Sequence, residues 1–238
     1  ISVNTSAFQA FRSGASIATC YFSDLQNMNL DQYKTIVFVN CYLMDKEQRA
    51  WINRNVAKNQ RNLVWLTAPA YMDGQTLDTK YVSEVTGMNV DTFYCDTLPV
   101  MHFNEAFGDT MTLVPPKDKM ENQIFFRVND SKATTLATFD KDGHVAAAMK
   151  KQKDATQIFL ALPPIKGTMW NKLFHLTGSH IYDDGEDSII AGMGLVMVHT
   201  QDGGPRDIKL KNGKIVHLEM APMQTVLMDA VTGEILLK

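Results

Sequence analysis

The chain has 238 residues, enough to bury one large domain or a domain with a sizeable appendage, and its 45% hydrophobic and 21% charged residues are the balance of an ordinary globular protein. A net charge of -3 and a pI near 6.1 give no clustered positive field, which excludes nucleic acid and anionic membrane as expected partners. No apolar run approaches the roughly 20 residues that cross a bilayer as a helix, and the first residues have neither the basic start nor the apolar core of a signal peptide; no compartment follows from the sequence.

The segment Thr5 to Phe11 suits the end of a helix, stopped by Gly14, and a strand is expected at Ile17 to Phe22. The run Thr35-Ile36-Val37-Phe38-Val39 is apolar and β-branched without alternation, the pattern of a strand covered on both faces. Asp45 then caps a helix that ends near Asn59, and Leu63-Val64-Trp65-Leu66 is a second fully apolar strand, cut off by Pro69. Thr79 to Thr86 reads as a helix closed by Gly87. Over residues 1 to 87 this strand–helix alternation implies a parallel sheet wrapped by helices.

From about 96 to 122 the periodicity weakens into an irregular excursion. Short strands are expected at Ile124 to Val128, Thr134 to Phe139 and Val145 to Met149, with a hairpin at Asp142-Gly143. A buried strand at Thr156 to Leu162 leads to a helix from Thr168 to Leu176 that Gly178 terminates. Beyond it, turns at Gly185, Gly203-Gly204, Asn212-Gly213 and Thr232-Gly233 separate short strands at hairpin spacing, so residues 179 to 238 read as antiparallel β. That region either completes the main sheet's edge or forms a small sandwich of its own.

Several segments, in order, resemble the amidotransferase-like domain that follows the catalytic barrel in glycoside hydrolases of the family 42 (β-galactosidase) type. They are Ser23-Asp24-Leu25, Asp31 to Asn40, Asp45 to Arg49 opening a helix, Leu63 to Tyr71, Leu173 to Tyr182 and Leu195 to His199. The resemblance implies an α/β fold of the flavodoxin-like, class I glutamine amidotransferase-like kind over 1–178, with helices on both faces of a parallel sheet, followed by the β region over 179–238. It also implies that the chain begins inside its first β–α unit and that a catalytic barrel of the same polypeptide precedes it. One departure stands out. Ala70 occupies the place of a glycine in the family's Ala-Pro-Gly-Tyr turn, which predicts an ordinary backbone there.

An active amidotransferase needs a thiol on a tight strand-to-helix turn and a distant histidine. The matching turn here is Thr67-Ala68-Pro69-Ala70; Thr67 is expected still on the strand, and Pro69 removes a backbone donor, so no catalytic residue is assigned. Cys20, Cys41 and Cys95, odd in number and widely spaced, suggest no disulfide or metal motif, and each is expected to be a small buried residue; Cys41, after a parallel strand, is the alternative nucleophile. The six histidines have no ligand spacing, and the acidic run Asp183-Asp184-Gly185-Glu186-Asp187 is read as a solvated hairpin in preference to a calcium loop, so no metal or cofactor is expected. Trp51, Trp65 and Trp170 fall on core-facing periods.

Ligands of such folds bind beyond the carboxyl ends of the parallel strands, which selects Asp24, Asn40, Cys41, Tyr42 and Tyr71 as candidate binding residues. The expected function is a noncatalytic accessory or oligomerisation domain of a carbohydrate-active enzyme, partnered by a barrel of the same polypeptide and by further copies of itself. The alternative is an independent module that binds a sugar or another small molecule at that edge. A cysteine-dependent amidohydrolase ranks last.

Overall fold

The structure is a computed structural model that describes residues 3–114 and 119–238. Helix α1 (Val3–Ala10) is followed by Gly14 at a φ of +74°, and an added Cβ there would lie 1.7 Å from the Asp183 carbonyl oxygen, so glycine is required. The strand expected at Ile17 to Phe22 does not form; the chain runs irregularly into a 3-10 turn at Phe22–Asn27. Cys20 is exposed and Cys41 half-buried, which corrects the expectation of three buried thiols; Cys95 is the buried one.

The two apolar runs become β1 (Thr35–Phe38) and β2 (Arg61–Leu66), paired in parallel across helix α2 (Lys46–Asn55). α2 opens on a capping box in which the Asp45 carboxylate accepts from the Gln48 amide at 2.8 Å and the Gln48 side chain accepts from the Asp45 amide at 2.9 Å, pairing two donors that the helix cannot pair itself. Buried Arg49 reaches from α2 to Glu84 at 2.8 Å and lies 4.3 Å over the Tyr81 ring, tying α2 to α3 (Thr79–Thr86).

Seven further strands follow in this unit: β3 (Val90–Thr97), β4 (Met101–Phe103), β5 (Thr112–Leu113), β6 (Lys119–Val128), β7 (Thr134–Phe139), β8 (Val145–Lys151) and β9 (Ala155–Leu160). The stretch read as irregular is therefore partly sheet, since β3 runs to Thr97 against β6, and β4 lies between β5 and β7; its part over 115–118 falls outside the described residues. The sheet order is β1-β2-β9-β8-β7-β4-β5, with the β3–β6 pair joined through β8. Among the described strands β1, β2 and β9 pair in parallel, as the strand–helix alternation of residues 1–87 implies, and the others are antiparallel, so the parallel sheet expected for the whole α/β region is corrected to a mixed, curled sheet with flanking helices. The cause is connection length: Asp142-Gly143, at φ of +63° and +62°, allows a hairpin and no crossover.

β2 is buried at all six residues. Its Trp65 stacks on Phe38 of β1 at 4.1 Å and donates from Nε1 to Gln157 Oε1 of β9 at 2.7 Å, so one indole holds the three parallel strands together. At the other end the Arg61 side chain, 2% exposed, donates to the carbonyls of Leu30 and Val56 at 2.8 Å and of Tyr33 at 3.1 Å.

Residues 21–163 form this first compact unit; the segment up to Cys20 and Pro164–Lys238 form the second. In the second, α4 (Gly167–Leu176) donates from Asn171 to the Ser13 carbonyl at 2.9 Å. The strands are β10 (Ser188–Gly192), β11 (Leu195–His199), β12 (Gly204–Lys209), β13 (Ile215–Met220), β14 (Thr225–Asp229) and β15 (Ile235–Leu237). They make a four-stranded antiparallel sheet, β10-β11-β14-β15, and a β12–β13 hairpin. Ile189, Val196, Val198, Val226 and Met228 of the sheet share one core with Ile208, Leu218 and Met220 of the hairpin, so the region is a small sandwich of its own and not an edge of the main sheet.

The acidic run is not a solvated hairpin. Asp183 and Asp187 are 8% and 3% exposed, and Asp187 accepts from Arg206, whose Nη2 also donates to Thr200 Oγ1 at 2.8 Å. Burial, and then the negative charge of Asp187, push the Asp183 carboxyl above its ordinary range. Its exposed neighbour Asp184 goes the other way: against the cost of burial, Lys209 at 2.6 Å and His175 at 2.7 Å hold it at about 2. Among the described residues no group of three His, Cys, Asp or Glu could hold a metal ion.

Replacing Arg61 with methionine keeps the volume but removes the guanidinium donor from the Tyr33 carbonyl and one of two donors from each of the Leu30 and Val56 carbonyls, and urea denaturation is expected to show a loss of about 1–2 kcal/mol. A group whose folded pKa is raised contributes stability below its unfolded value and loses it as pH rises through the folded value. Asp183→Asn is therefore expected to raise the melting temperature at pH 7, with the gain shrinking as pH falls through about 4; an equal gain at both pH values would contradict the buried charge.

Candidate functional site

β1 and β2 end side by side, and the chain leaves both in the left-handed region. Asn40 has a φ of +56°, Thr67 +67° and Ala70 +56°. Each such conformation costs an L-residue about 1–2 kcal/mol, and for a β-branched threonine it is a true outlier. Both expectations for this turn are thus corrected: Thr67 lies past the strand, which ends at Leu66, and Ala70 adopts the backbone that a glycine favours. Hydrogen bonds compel it. The Ala70 amide donates to the Cys41 carbonyl at 2.7 Å, Met72 donates to Tyr42 at 2.9 Å, and Met44 donates back to Met72 at 3.0 Å, lacing the two exits together. Ala70 is fully buried, so turning the backbone the other way would strand these groups away from water.

These bonds bring Asn40, Cys41 and Tyr42 beside the turn that carries Tyr71. Asn40 is exposed, while Cys41, Tyr42 and Tyr71 are half-buried. The Cys41 thiol points back to the Val39 carbonyl at 3.5 Å. Tyr71 packs edge-on against Phe126 at 5.0 Å. Burial pushes the Tyr42 phenol up, with Thr67 acting in the opposite sense and Cys41 adding to the rise. Asp24 is exposed in the 3-10 turn, accepting from the Ser23 hydroxyl at 3.3 Å; Phe22 of the same turn meets Phe38, the last residue of β1, at 6.4 Å.

The apolar run places Thr67 on the strand, and the sequence signal against that placement is Pro69, which restricts the backbone just before it. The Thr67 hydroxyl is buried beside the Tyr42 phenol, on which it acts in the lowering sense, without a well-formed hydrogen bond. Of the two histidines in this unit, His102 Nδ1 lies 3.2 Å from Thr112 Oγ1 and His144 lies 3.0 Å from Arg127 Nη1.

Besides Asn40, this edge shows three apolar side chains to solvent. Leu43, Met72 and Leu77, 57%, 43% and 59% exposed, stand next to one another through a parallel bridge between Leu43 and Met72 and an antiparallel one between Met72 and Leu77. Single exposed apolar residues are ordinary, but three in adjoining register form a patch of the kind that contacts another protein.

No protein-family model matches the chain, and no curated protein matches it. Solved structures do. A β-galactosidase from Bacillus circulans sp. alkalophilus matches over 97% of this chain and 36% of its own, with a TM-score of 0.63 and 10% identity. A polyextremophilic β-galactosidase from the Antarctic haloarchaeon Halorubrum lacusprofundi matches over 98% of this chain and 36% of its own, with a TM-score of 0.65 and 12% identity. A β-galactosidase from the psychrophilic Marinomonas ef1 matches over 93% and 32%, with a TM-score of 0.57 and 12% identity. The chain therefore spans 32% to 36% of the length of these enzymes, and at such identity the likeness speaks for the fold.

Relief of the left-handed alanine gives a direct check on the turn. Ala70→Gly is expected to leave stability within about 1 kcal/mol of the original in thermal or urea denaturation, because relief of the left-handed penalty offsets the lost buried methyl and the freer unfolded chain. A loss of several kcal/mol would contradict the turn geometry.

Proposed function

We propose that the chain is a noncatalytic accessory or assembly domain of a carbohydrate-active enzyme of the β-galactosidase type, its larger unit being an amidotransferase-like, flavodoxin-like relic whose partner is a catalytic barrel of the same polypeptide. The observation that carries this reading is the turn after β2. It keeps the sharp left-handed geometry at Thr67, yet sets there a hydroxyl that no base touches. A scaffold that has an elbow and no activated nucleophile acts through its surfaces, and the Leu43–Met72–Leu77 patch supplies one. The match to about a third of several β-galactosidase chains supports the same reading.

The test is hydrolysis of a nitrophenyl β-galactoside by the purified chain. No release above the buffer rate is expected. Hydrolysis that persists through purification and disappears in Thr67→Ala would overturn the reading.

A second reading has one specific observation in its favour. Three strained non-glycine residues converge where α/β folds bind ligands, beside Tyr42 and Tyr71, and backbone strain collects at ligand sites. Calorimetric titration with galactose and lactose decides it: a chain that gives no heat is no sugar-binding module, and binding lost in Tyr42→Ala would establish the site. A cysteine-dependent amidohydrolase is the weakest reading, because Cys41 turns its thiol to its own backbone.

A further inference from the structure

The β12–β13 hairpin turns at Asn212-Gly213, the one Asn-Gly step in the sequence. Both residues are exposed, and Gly213 has a φ of +88° with open space where a Cβ would stand. No side chain therefore hinders the Gly213 nitrogen from closing on the side-chain amide of the residue before it.

The folded turn holds that reaction back. The Gly213 amide donates to the Leu210 carbonyl at 2.9 Å, the Lys214 amide donates to Asn212 Oδ1 at 3.0 Å, and Asn212 Nδ2 donates to the Val231 carbonyl at 2.8 Å. Val231 lies in the turn between β14 and β15, so the last bond ties the tip of the hairpin to the tip of the sheet it covers. Lys214 Nζ adds a second tie by donating to the Thr232 carbonyl. The tips pack closely here, since a Cβ added at Gly233 would lie 2.5 Å from Val216 of β13.

We infer that Asn212 is a deamidation site whose conversion waits on the opening of this end of the sandwich and, once complete, keeps the end loosened. A base takes the Gly213 N–H proton, the nitrogen forms a bond to Asn212 Cγ, and the Cγ–Nδ2 bond breaks to release ammonia and leave a cyclic imide. Water then opens the imide at either carbonyl, so water is consumed, ammonia is released, and aspartate or isoaspartate replaces Asn212. The closed turn opposes both bond changes, because Leu210 holds the N–H and Val231 holds Nδ2. The product cannot restore the tie. A carboxylate has no N–H to give the Val231 carbonyl, and the two acceptors repel each other. Isoaspartate also lengthens the backbone by a carbon inside a turn that the Leu210 amide closes on the Lys214 carbonyl at 2.8 Å. None of these steps needs a partner or an active centre, so the inference is independent of the function proposed above.

Peptide mapping by mass spectrometry, with the full chain held at mildly alkaline pH, tests it. Conversion of Asn212 is expected to run about tenfold slower in the folded chain than in the same chain unfolded in guanidinium, the size of effect that local opening at a surface turn gives. Lys214→Ala removes one tie and leaves Asn212-Gly213 intact, and it is expected to speed conversion of the folded chain several-fold. Asn212→Asp, which installs the product, is expected to hasten hydrogen exchange over residues 231–233 and to lower the melting temperature. Equal rates in folded and unfolded chain, or no conversion of Asn212 in the unfolded one, would overturn the inference. So would a Lys214→Ala rate equal to the wild type's, or an Asn212→Asp variant whose exchange over 231–233 is unchanged.

Discussion

The first unit depends on a strand that water cannot reach. β2 is buried at every residue, so each of its backbone groups must be paired by β1 on one side and β9 on the other, and each of its side chains must be covered. Polar side chains enter this core only where they complete that pairing. The Gln157 oxygen accepts from Trp65, and the Arg61 guanidinium is spent on three carbonyls of segments that approach the strand's start. Burial makes the Arg61 charge costly, with Asp31 at 3.7 Å partly offsetting it, so its neighbours are fixed as firmly as the strand.

The same constraint shapes the opposite end. A chain leaving a fully buried strand cannot continue extended without carrying unpaired amides out of the sheet. It turns at once, and the lacing of Ala70, Met72 and Met44 to the exit of β1 accepts left-handed backbone at Thr67 and Ala70 as the cost. At this turn stand a buried hydroxyl beside the Tyr42 phenol, a thiol facing its own strand, and three exposed apolar side chains in adjoining register.

The second unit solves a different problem. Its short strands cannot bury a core alone, so a hairpin packs on one face of the sheet. Asp183, Asp187 and Arg206 lie at its margin as a buried polar group, where two carboxylates share one nearby guanidinium and Asp183 resists ionisation.

The sequence by itself determined most elements, because helix caps and turn residues act over a few positions: Asp45 with Gln48, Gly87, Asp142-Gly143 and Gly178 all mark boundaries that the structure keeps. Apolar runs at β2 and β9 mark strands covered on both faces, whereas the like run at β1 forms a half-buried strand at the sheet's edge. Tertiary structure alone decided which strands meet. Parallel and antiparallel neighbours demand the same buried side chains, so β8 beside β9 is invisible to periodicity, as is the separation of the C-terminal strands into their own sandwich. The site divides in the same way. Asn40, Cys41, Tyr42 and Tyr71 are locatable from where strands stop, whereas the left-handed turn at Thr67 and Ala70, and the burial of Asp183 and Asp187, arise from partners 29, 93 and 19 residues distant in the chain or from the packing around them. Local preference cannot report a conformation that distant hydrogen bonds impose.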